Sequence, residues 1–414
     1  MIVINRPKVE KLRDKARLSS QISIDDTENY TIWFEVEQKY SKYLVEEKAD
    51  AFLVAVLPFA MMAQKDIRIV GVPVSEMLYW NLTHEYIPAL CKYSEIYNNI
   101  SINTDITNEK YNACGVGTGF SAGVDSFYTV LRNLEQRTNS YNLTHLTFFN
   151  VGACGYGTDH GGDAAQLVFK ERVEQFKPVV DSLGLELVAV NSNLNDFKPV
   201  NYNWIHSFRS TSAVLALQKL FSNYYYSSGA PLTYFTLDHH DSANYDILST
   251  RCFSTETTSI FSVGLWESRM EKVQFISNYP VTFDVLNVCN DSAMNCCVCD
   301  KCIRTMGELY SIGKLEKYKT SFDVEKWNTN LTKYIARVIS KKYDGTVESK
   351  FNQEIIDTAK KNGVLIPRLS YIVAIPGIVR SFAISIVRKN KYFQKKYHEK
   401  LARERGLFYA DVNK

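Results

Sequence analysis

Two stretches of this chain hold residue types at spacings that do chemistry. The first is Gly119-Phe120-Ser121-Ala122-Gly123-Val124-Asp125-Ser126. Small residues let a backbone turn tightly, so that consecutive N–H groups point at one anion. The pattern before it, Tyr111 to Phe120, reads as a strand ending in glycines, and the pattern after it, Val124 to Glu135, as a helix. A helix start adds unpaired amides and the positive end of its dipole. Ser121 and Ser126 add hydroxyl donors, and Ala122, Gly123 and Val124 add backbone amides. Asp125 is the wrong group beside a bare phosphate, and it implies Mg²⁺ between its carboxylate and a polyphosphate. The plainer alternative is a Ser/Gly turn in any α/β fold, and a place on the first strand of such a domain weighs against it.

The second stretch is Cys289 followed by Asn295-Cys296-Cys297-Val298-Cys299-Asp300-Lys301-Cys302. Five of the nine cysteines crowd here, and in a reducing compartment such crowding points to metal rather than disulfides. Cys296, Cys299 and Cys302 form Cys-x₂-Cys-x₂-Cys, and Cys289 completes four thiolates. Four protein ligands leave no position for water, which makes the expected site structural zinc. An iron–sulfur cluster is the lesser alternative. Cys297 is left over, as an unligated thiol or an alternative ligand.

These residues need a scaffold. Strand and helix patterns alternate from about Tyr111 to Leu315: a strand at Leu143–Val151, a helix at Asp163–Lys177 with Pro178 bending or ending it, a strand at Leu185–Asn191, a helix at Ser210–Tyr224 and a strand at Leu232–Leu237. Such alternation predicts an α/β fold, a parallel sheet with helices on both faces. Residues 1–110 read as an α+β accessory module, with a strand at Tyr30–Glu37 and a buried helix at Asp50–Ala63 that Asp50 caps. Residues 316–414 read as helical, ending in a basic, aromatic stretch, Arg388 to Arg405. The domain reading is therefore 1–110, 111–315 and 316–414.

The loop resembles the Ser-Gly-Gly-X-Asp-Ser signature of the PP-loop ATP pyrophosphatases, with Ala122 in place of the first glycine. It lacks the Gly-Lys-Ser/Thr ending of a Walker A loop. Followed much later by Cys…Cys-x₂-Cys-x₂-Cys, it is similar to the 7-cyano-7-deazaguanine synthase (QueC) family. That family has Gly where this chain has Cys297, and Arg269–Ile276 matches its Lys-x₃-Ile element weakly. The resemblance covers about half the chain. The additions on either side suggest a QueC-like protein such as the enlarged QatC type of antiphage clusters. It implies a ligase that uses ATP, Mg²⁺ and Zn²⁺. A carboxylate of the 7-carboxy-7-deazaguanine kind is adenylated, pyrophosphate leaves, and a nitrogen nucleophile on a small molecule or a partner protein then gives an amide or nitrile. A thiolase-like tRNA-modifying enzyme and a non-catalytic nucleotide sensor are the alternatives.

The expected catalytic residues are Asp125, Ser121, Arg209 and Lys272, with Arg251 and Arg269 as further phosphate-neutralising candidates. Arg209 leads, since Ser210 or Thr211 would open a helix aimed at the C-terminal edge of the sheet. Gly152 is expected near the nucleotide, in a glycine-containing loop that runs to Gly157, and Asp238-His239-His240-Asp241 near substrate or a second metal. The formal net charge of +3 gives no general pull toward nucleic acid. The basic tail is a weak sign of RNA or an acidic partner. With 45% apolar and 22% charged residues the composition is that of a globular protein. No signal-peptide pattern opens the chain, and Pro376, Gly377 and Arg380 interrupt its longest apolar window. The expected location is cytoplasmic, without a membrane span, and with oligomerisation open.

Overall fold

The computed structural model describes residues 1–134, 138–155, 162–198, 200–237, 241–405 and 408. The strands are β1 (Ile2–Asn5), β2 (Lys8–Lys11), β3 (Lys15–Ile24), β4 (Glu28–Glu37), β5 (Ile67–Val70), β6 (Val74–Ser75), β7 (Ile102–Asn103), β8 (Ile106–Thr107), β9 (Gly115–Gly119), β10 (His145–Phe149), β11 (Glu186–Ser192), β12 (Phe221–Ser227) and β13 (Ser259–Val263). One sheet runs in the order β13-β12-β9-β10-β11-β4-β3-β1-β5-β7, with β2 beside β3, while β6 and β8 pair separately. Strands β9 to β13 are mutually parallel. β9 comes first among them in the chain and sits between β10 and β12. The order therefore reverses at β9, and ligands of open α/β sheets bind in the crevice that such a reversal leaves beyond the carboxyl ends of the strands.

The parallel sheet expected from the sequence for residues 111–315 is present as β9 to β13, within a larger, mixed sheet. Asn191 and Ser192 of β11 pair antiparallel with Glu35 and Phe34 of β4, which joins the strands of residues 1–110 to the same sheet. β3 alternates buried residues with more exposed ones, β4 buries Phe34, Glu35 and Val36 in succession, and Ile22, Ile32 and Phe34 turn to one apolar cluster. An antiparallel pair with one covered face and one wet face produces that alternation.

Helices cover both faces. One cluster joins the N-terminal strands, α1 (Asp50–Met62), α2 (Glu76–Trp80), α3 (Ile87–Tyr93) and residues further along the chain. The other face holds α4 (Val124–Asn133) and α5 (Gly162–Ser182), in which Pro178 lies inside the helix. α6 (Tyr202–Leu215) and α7 (Asp246–Cys252) belong to the first face. α8 (Arg269–Ile276), α9 (Asp300–Ser311), α10 (Val324–Thr329), α11 (Leu331–Lys341) and α12 (Val347–Lys361) belong to the second. Then come α13 (Leu369–Lys389) and α14 (Lys391–Arg405). By length and composition, Leu369–Val387 is long and apolar enough to cross a membrane, and 17% of that window is buried.

Two sequence expectations fail locally. The helix expected at Ser210–Tyr224 opens at Asn201, whose side chain caps it, and it ends at Leu215. The aromatic run Phe221–Ser227 goes into β12, because Tyr and Phe fit a pleated, half-buried surface. Leu232–Tyr234 is a 3₁₀ turn after Pro231 rather than a strand.

Asp50 does not cap α1, because Ala49 holds that position. Its buried carboxylate accepts from the Ser75 N–H at 2.8 Å, the Ser75 hydroxyl at 2.6 Å and the Gln218 amide at 2.8 Å. Gln218 lies beyond α6, so this one carboxylate ties residues 1–110 to the parallel sheet. Asp50→Ala leaves those donors buried without an acceptor. We expect a loss of about 3 kcal/mol in urea unfolding, since each orphaned buried group costs roughly 1–3 kcal/mol.

Candidate functional site

The loop after β9 is built by its neighbours. The Phe120 N–H donates to the Thr147 carbonyl at 2.8 Å, and its ring packs edge-on against Phe127 and Phe176, both at 5.1 Å. This anchor throws Ser121, Ala122 and Gly123 out past the sheet. Gly123 takes the N-cap position of α4, so Val124, Asp125 and Ser126 form its first turn, whose amides have no intrahelical acceptor. The Ser126 hydroxyl donates to the Gly123 carbonyl at 3.0 Å, and the Ser121 hydroxyl reaches Ser126 Oγ at 3.3 Å.

Ala122 has φ of 59°, the left-handed region that favours glycine. Its Cβ is buried in the apolar cluster under α4, and burying one methyl returns about 0.8 kcal/mol. That offsets much of a left-handed cost of roughly 1–2 kcal/mol, which is why alanine is tolerated here.

Asp125 lies between two cations. Arg269 Nη1 donates to its Oδ2 at 2.8 Å, and Lys272 Nζ donates to its Oδ1 at 3.0 Å. Both cations come from α8, whose start is fixed by a capping box of Ser268 and Glu271. Lys272 is 2% exposed and also donates to the Ser228 carbonyl, just past β12, at 2.7 Å. Gly264, at φ of 84°, makes room for it, since a Cβ there would stand 2.9 Å from Nζ. Behind them, Arg269 reaches Glu308 at 3.4 Å and Thr305 at 3.5 Å, both on α9. Burial raises the Asp125 carboxyl, but Lys272 and Arg269 outweigh it and hold the carboxyl below its usual range. Burial raises Glu308 against the pull of Arg269 and Arg304. Arg304 is itself pulled down by burial and by Arg269 beside it. Arg269, Lys272 and Arg304 thus face Asp125 and Glu308, and Glu348 acts on Arg304 as well. Two atoms of this group, Arg304 Nε and Glu308 Oε1, are buried without a partner.

A second group sits past β10 and β11. Arg209 is 3% exposed and donates to Asn195 Oδ1 at 2.7 Å and to the Val151 carbonyl at 3.4 Å. It forms no ion pair with a carboxylate among the described residues. Burial pulls its pKa down to about 10. Gly152, at φ of 117°, lies directly against it, because a Cβ there would stand 2.5 Å from Nη1. Arg209 projects from within α6, not from the helix start that the sequence suggested. On the same helix His206 bridges the Tyr226 hydroxyl at 2.7 Å and Asp241 at 2.9 Å. Val151, Asn195, Ser228 and Gly264 follow β10 to β13 in turn, so both groups line the carboxyl edge of one sheet.

The four cysteines Cys289, Cys296, Cys299 and Cys302 converge, with all sulfurs within 4.8 Å of one another. Cys296 and Cys302 are 3.9 Å apart, against the roughly 3.8 Å edge of a tetrahedron with 2.3 Å metal–sulfur bonds. Backbone N–H groups of Asp291, Cys299 and Cys302 donate to Cys289, Cys296 and Cys299 Sγ. Such donors stabilise thiolates, and the set is one that could hold a metal, compatible with zinc. Cys297 stands outside it. Its φ is 58°, and its sulfur turns to the Asn295 carbonyl and the Asp323 N–H. Two links join this knot to the loop. The Asn287 N–H donates to the Ala122 carbonyl at 2.8 Å, and Cys299 caps the helix that carries Thr305 and Glu308.

The structure thus brings Ser121, Ala122, Gly123, Val124, Asp125 and Ser126 together with Arg269 and Lys272, and it brings Arg209 to Gly152. Arg251 is exposed on α7 and joins neither group. Tyr156, Gly157, Asp238, His239 and His240 lie outside the described residues. Both Asp125 oxygens are taken by cations, so the Mg²⁺ expected beside it has no ready carboxylate in this arrangement. The sequence reading missed Arg304, Glu308, Asn287 and the His206 bridge. Glu308 had a signal, an acidic residue on the apolar face of a helix between Met306 and Leu309. A cleft of about 250 Å³ opens between α9, α11 and the start of α12, where Lys301, Arg304 and Arg337 face Asp300, Asp344 and Glu348, and none of residues 119–126 borders it.

For the metal knot, elemental analysis of purified protein is expected to return one zinc per chain. Cys299→Ser should lose it, while Cys297→Ser should keep it. Loss of metal from Cys297→Ser instead would show that the wrong four thiols have been assigned. Comparison with protein-family models, with curated proteins and with solved structures finds no match for this chain.

Proposed function

We propose that this chain is an ATP-dependent ligase of the AMP-forming type, QueC-like in its chemistry. The observation that carries the reading is a serine- and glycine-rich loop at the strand-order reversal, running into a helix whose first turn holds Asp125 against Arg269 and Lys272. A polyphosphate suits that place, because the amides of a helix start and nearby cations both favour an anion. A five-stranded parallel unit with its first strand in the middle suits the PP-loop fold as well.

In this reading the loop amides and Ser121 hold the β- and γ-phosphates. A substrate carboxylate oxygen attacks the α-phosphorus, and the bond from that phosphorus to the bridging oxygen breaks. Pyrophosphate leaves with its new charge next to Lys272 and Arg269. A nitrogen nucleophile then attacks the acyl carbon, AMP departs, and the nitrogen loses a proton. Asp125 orients the two cations. Arg209, buried with no carboxylate partner among the described residues, is the group to receive an anionic part of the substrate. The residues at hand do not make a Mg²⁺ site by themselves, and no step here depends on one. Zinc suits the four-thiolate knot and supplies a structural tie rather than a reacting centre.

The test is pyrophosphate and AMP release from ATP, with 7-carboxy-7-deazaguanine and ammonium as the first substrates. Lys272→Ala is expected to lower turnover roughly 10²–10³-fold, the usual effect of removing a group that stabilises developing charge. Arg209→Ala should act mainly on the KM for the carboxylate. ATP binding without pyrophosphate from any carboxylate or partner protein would favour a nucleotide-sensing subunit. The two cations that already occupy Asp125 support that second reading.

A further inference from the structure

We infer that α13 is a dimerisation helix, pairing antiparallel with α13 of a second copy of this chain about a two-fold axis at Val379. The helix is inverted relative to a soluble core helix. Its small residues Ser370, Ala374 and Ser381 are buried, and Gly377 lies so close to α11 that a Cβ would stand 2.7 Å from Ser340. Its large apolar residues face outward. Ile372, Ile375, Val379, Phe382 and Ile386 are all more than half exposed, from 55% at Ile375 to 65% at Val379.

Those five recur at intervals of three and four, the spacing of a seam that packs against another helix. The seam is also close to its own mirror in sequence. Ile372 and Ile386 lie seven residues either side of Val379, and Ile375 and Phe382 lie four before and three after it. A two-fold contact needs such self-complementarity, since residue i must meet j while j meets i. At about 100 Å² each, with Leu369 on the flank, these side chains offer roughly 600 Å² per copy, the lower end for a specific interface. A standard interface buries about 800 Å² per partner.

A membrane is the competing occupant, because the helix is long enough to span one. The seating of α13 on α11 argues against it. Crossing a bilayer would carry Lys333, Arg337 and Lys341 of α11 toward the hydrocarbon, where ionised side chains are costly.

The test uses the full chain. Sedimentation equilibrium at tens of micromolar is expected to give twice the 47.4 kDa chain mass. The double variant Ile375→Glu with Phe382→Glu should be monomeric. It should melt where the wild type melts when diluted to monomer, since both sites are on the surface. The two-fold geometry makes a sharper demand. Val379→Cys should oxidise to a dimer by itself, above the background set by the native thiols. Ile372→Cys should not, because two copies of that residue lie about 21 Å apart along the pair. It should do so when mixed with Ile386→Cys. A monomeric wild type, no dimer from Val379→Cys above background, or flotation of the monomer with anionic vesicles would each overturn the inference.

Discussion

One carboxylate held between two buried cations is the constraint on which the candidate site rests. Arg269 and Lys272 are buried, and ions of that kind are tolerated inside a protein only where partners surround them. Asp125 is the partner they share. The arrangement fixes three elements at once, because Asp125 belongs to α4 while both cations belong to α8, and Glu308 of α9 closes the group from behind. Displacing any of the three helices would strand a charge in a dry place. The cysteine knot sets the position of α9 from its first residue, and Asn287 fastens the same knot to the Ala122 carbonyl. The four-cysteine cluster and the loop after β9 are therefore parts of one corner, although more than 160 residues separate Ala122 from Cys289 in the chain.

Much of that corner was legible from local pattern. The turn at residues 121–123 was visible because glycine and serine mark a break between a strand and a helix, and the cysteines because their spacing matches a ligand set. Even the leftover thiol could be named, and Cys297 indeed turns away from the other four. Lys272 and Arg269 were legible only as residue types, since nothing local says which basic residue reaches Asp125 across the fold. Arg304 and Glu308 needed α9 to be oriented first. Asn287 could not be read at all, because its role lies in a backbone N–H that any residue except proline possesses.

The sheet shows the same division. Alternating patterns suggested strands and helices correctly in outline, yet the expected helix takes in residues 221–224 of β12, because a run of aromatics satisfies helix and strand periodicity alike over so few residues. The antiparallel join between β4 and β11 left no trace in either segment, because two residue pairs suffice to make it. Asp50 had a helix-start signature and served a different end, because a buried carboxylate goes where its donors are.

That join also bears on how the chain is made. β4 pairs with β3 on one side and waits for β11 on the other, and about 150 residues lie between them in synthesis order. At roughly 5–20 residues per second a ribosome takes on the order of ten seconds to deliver β11. For that time the nascent protein shows an unpaired strand edge of ten residues. Glu28, Glu35 and Glu37 sit on that strand. Lys15 and Arg17 precede β4 and hold Glu35 as soon as the β3–β4 hairpin forms, whereas Glu28 meets Lys198 only once the chain beyond β11 has been made, so Glu28 is the acidic group left to blunt that edge during translation.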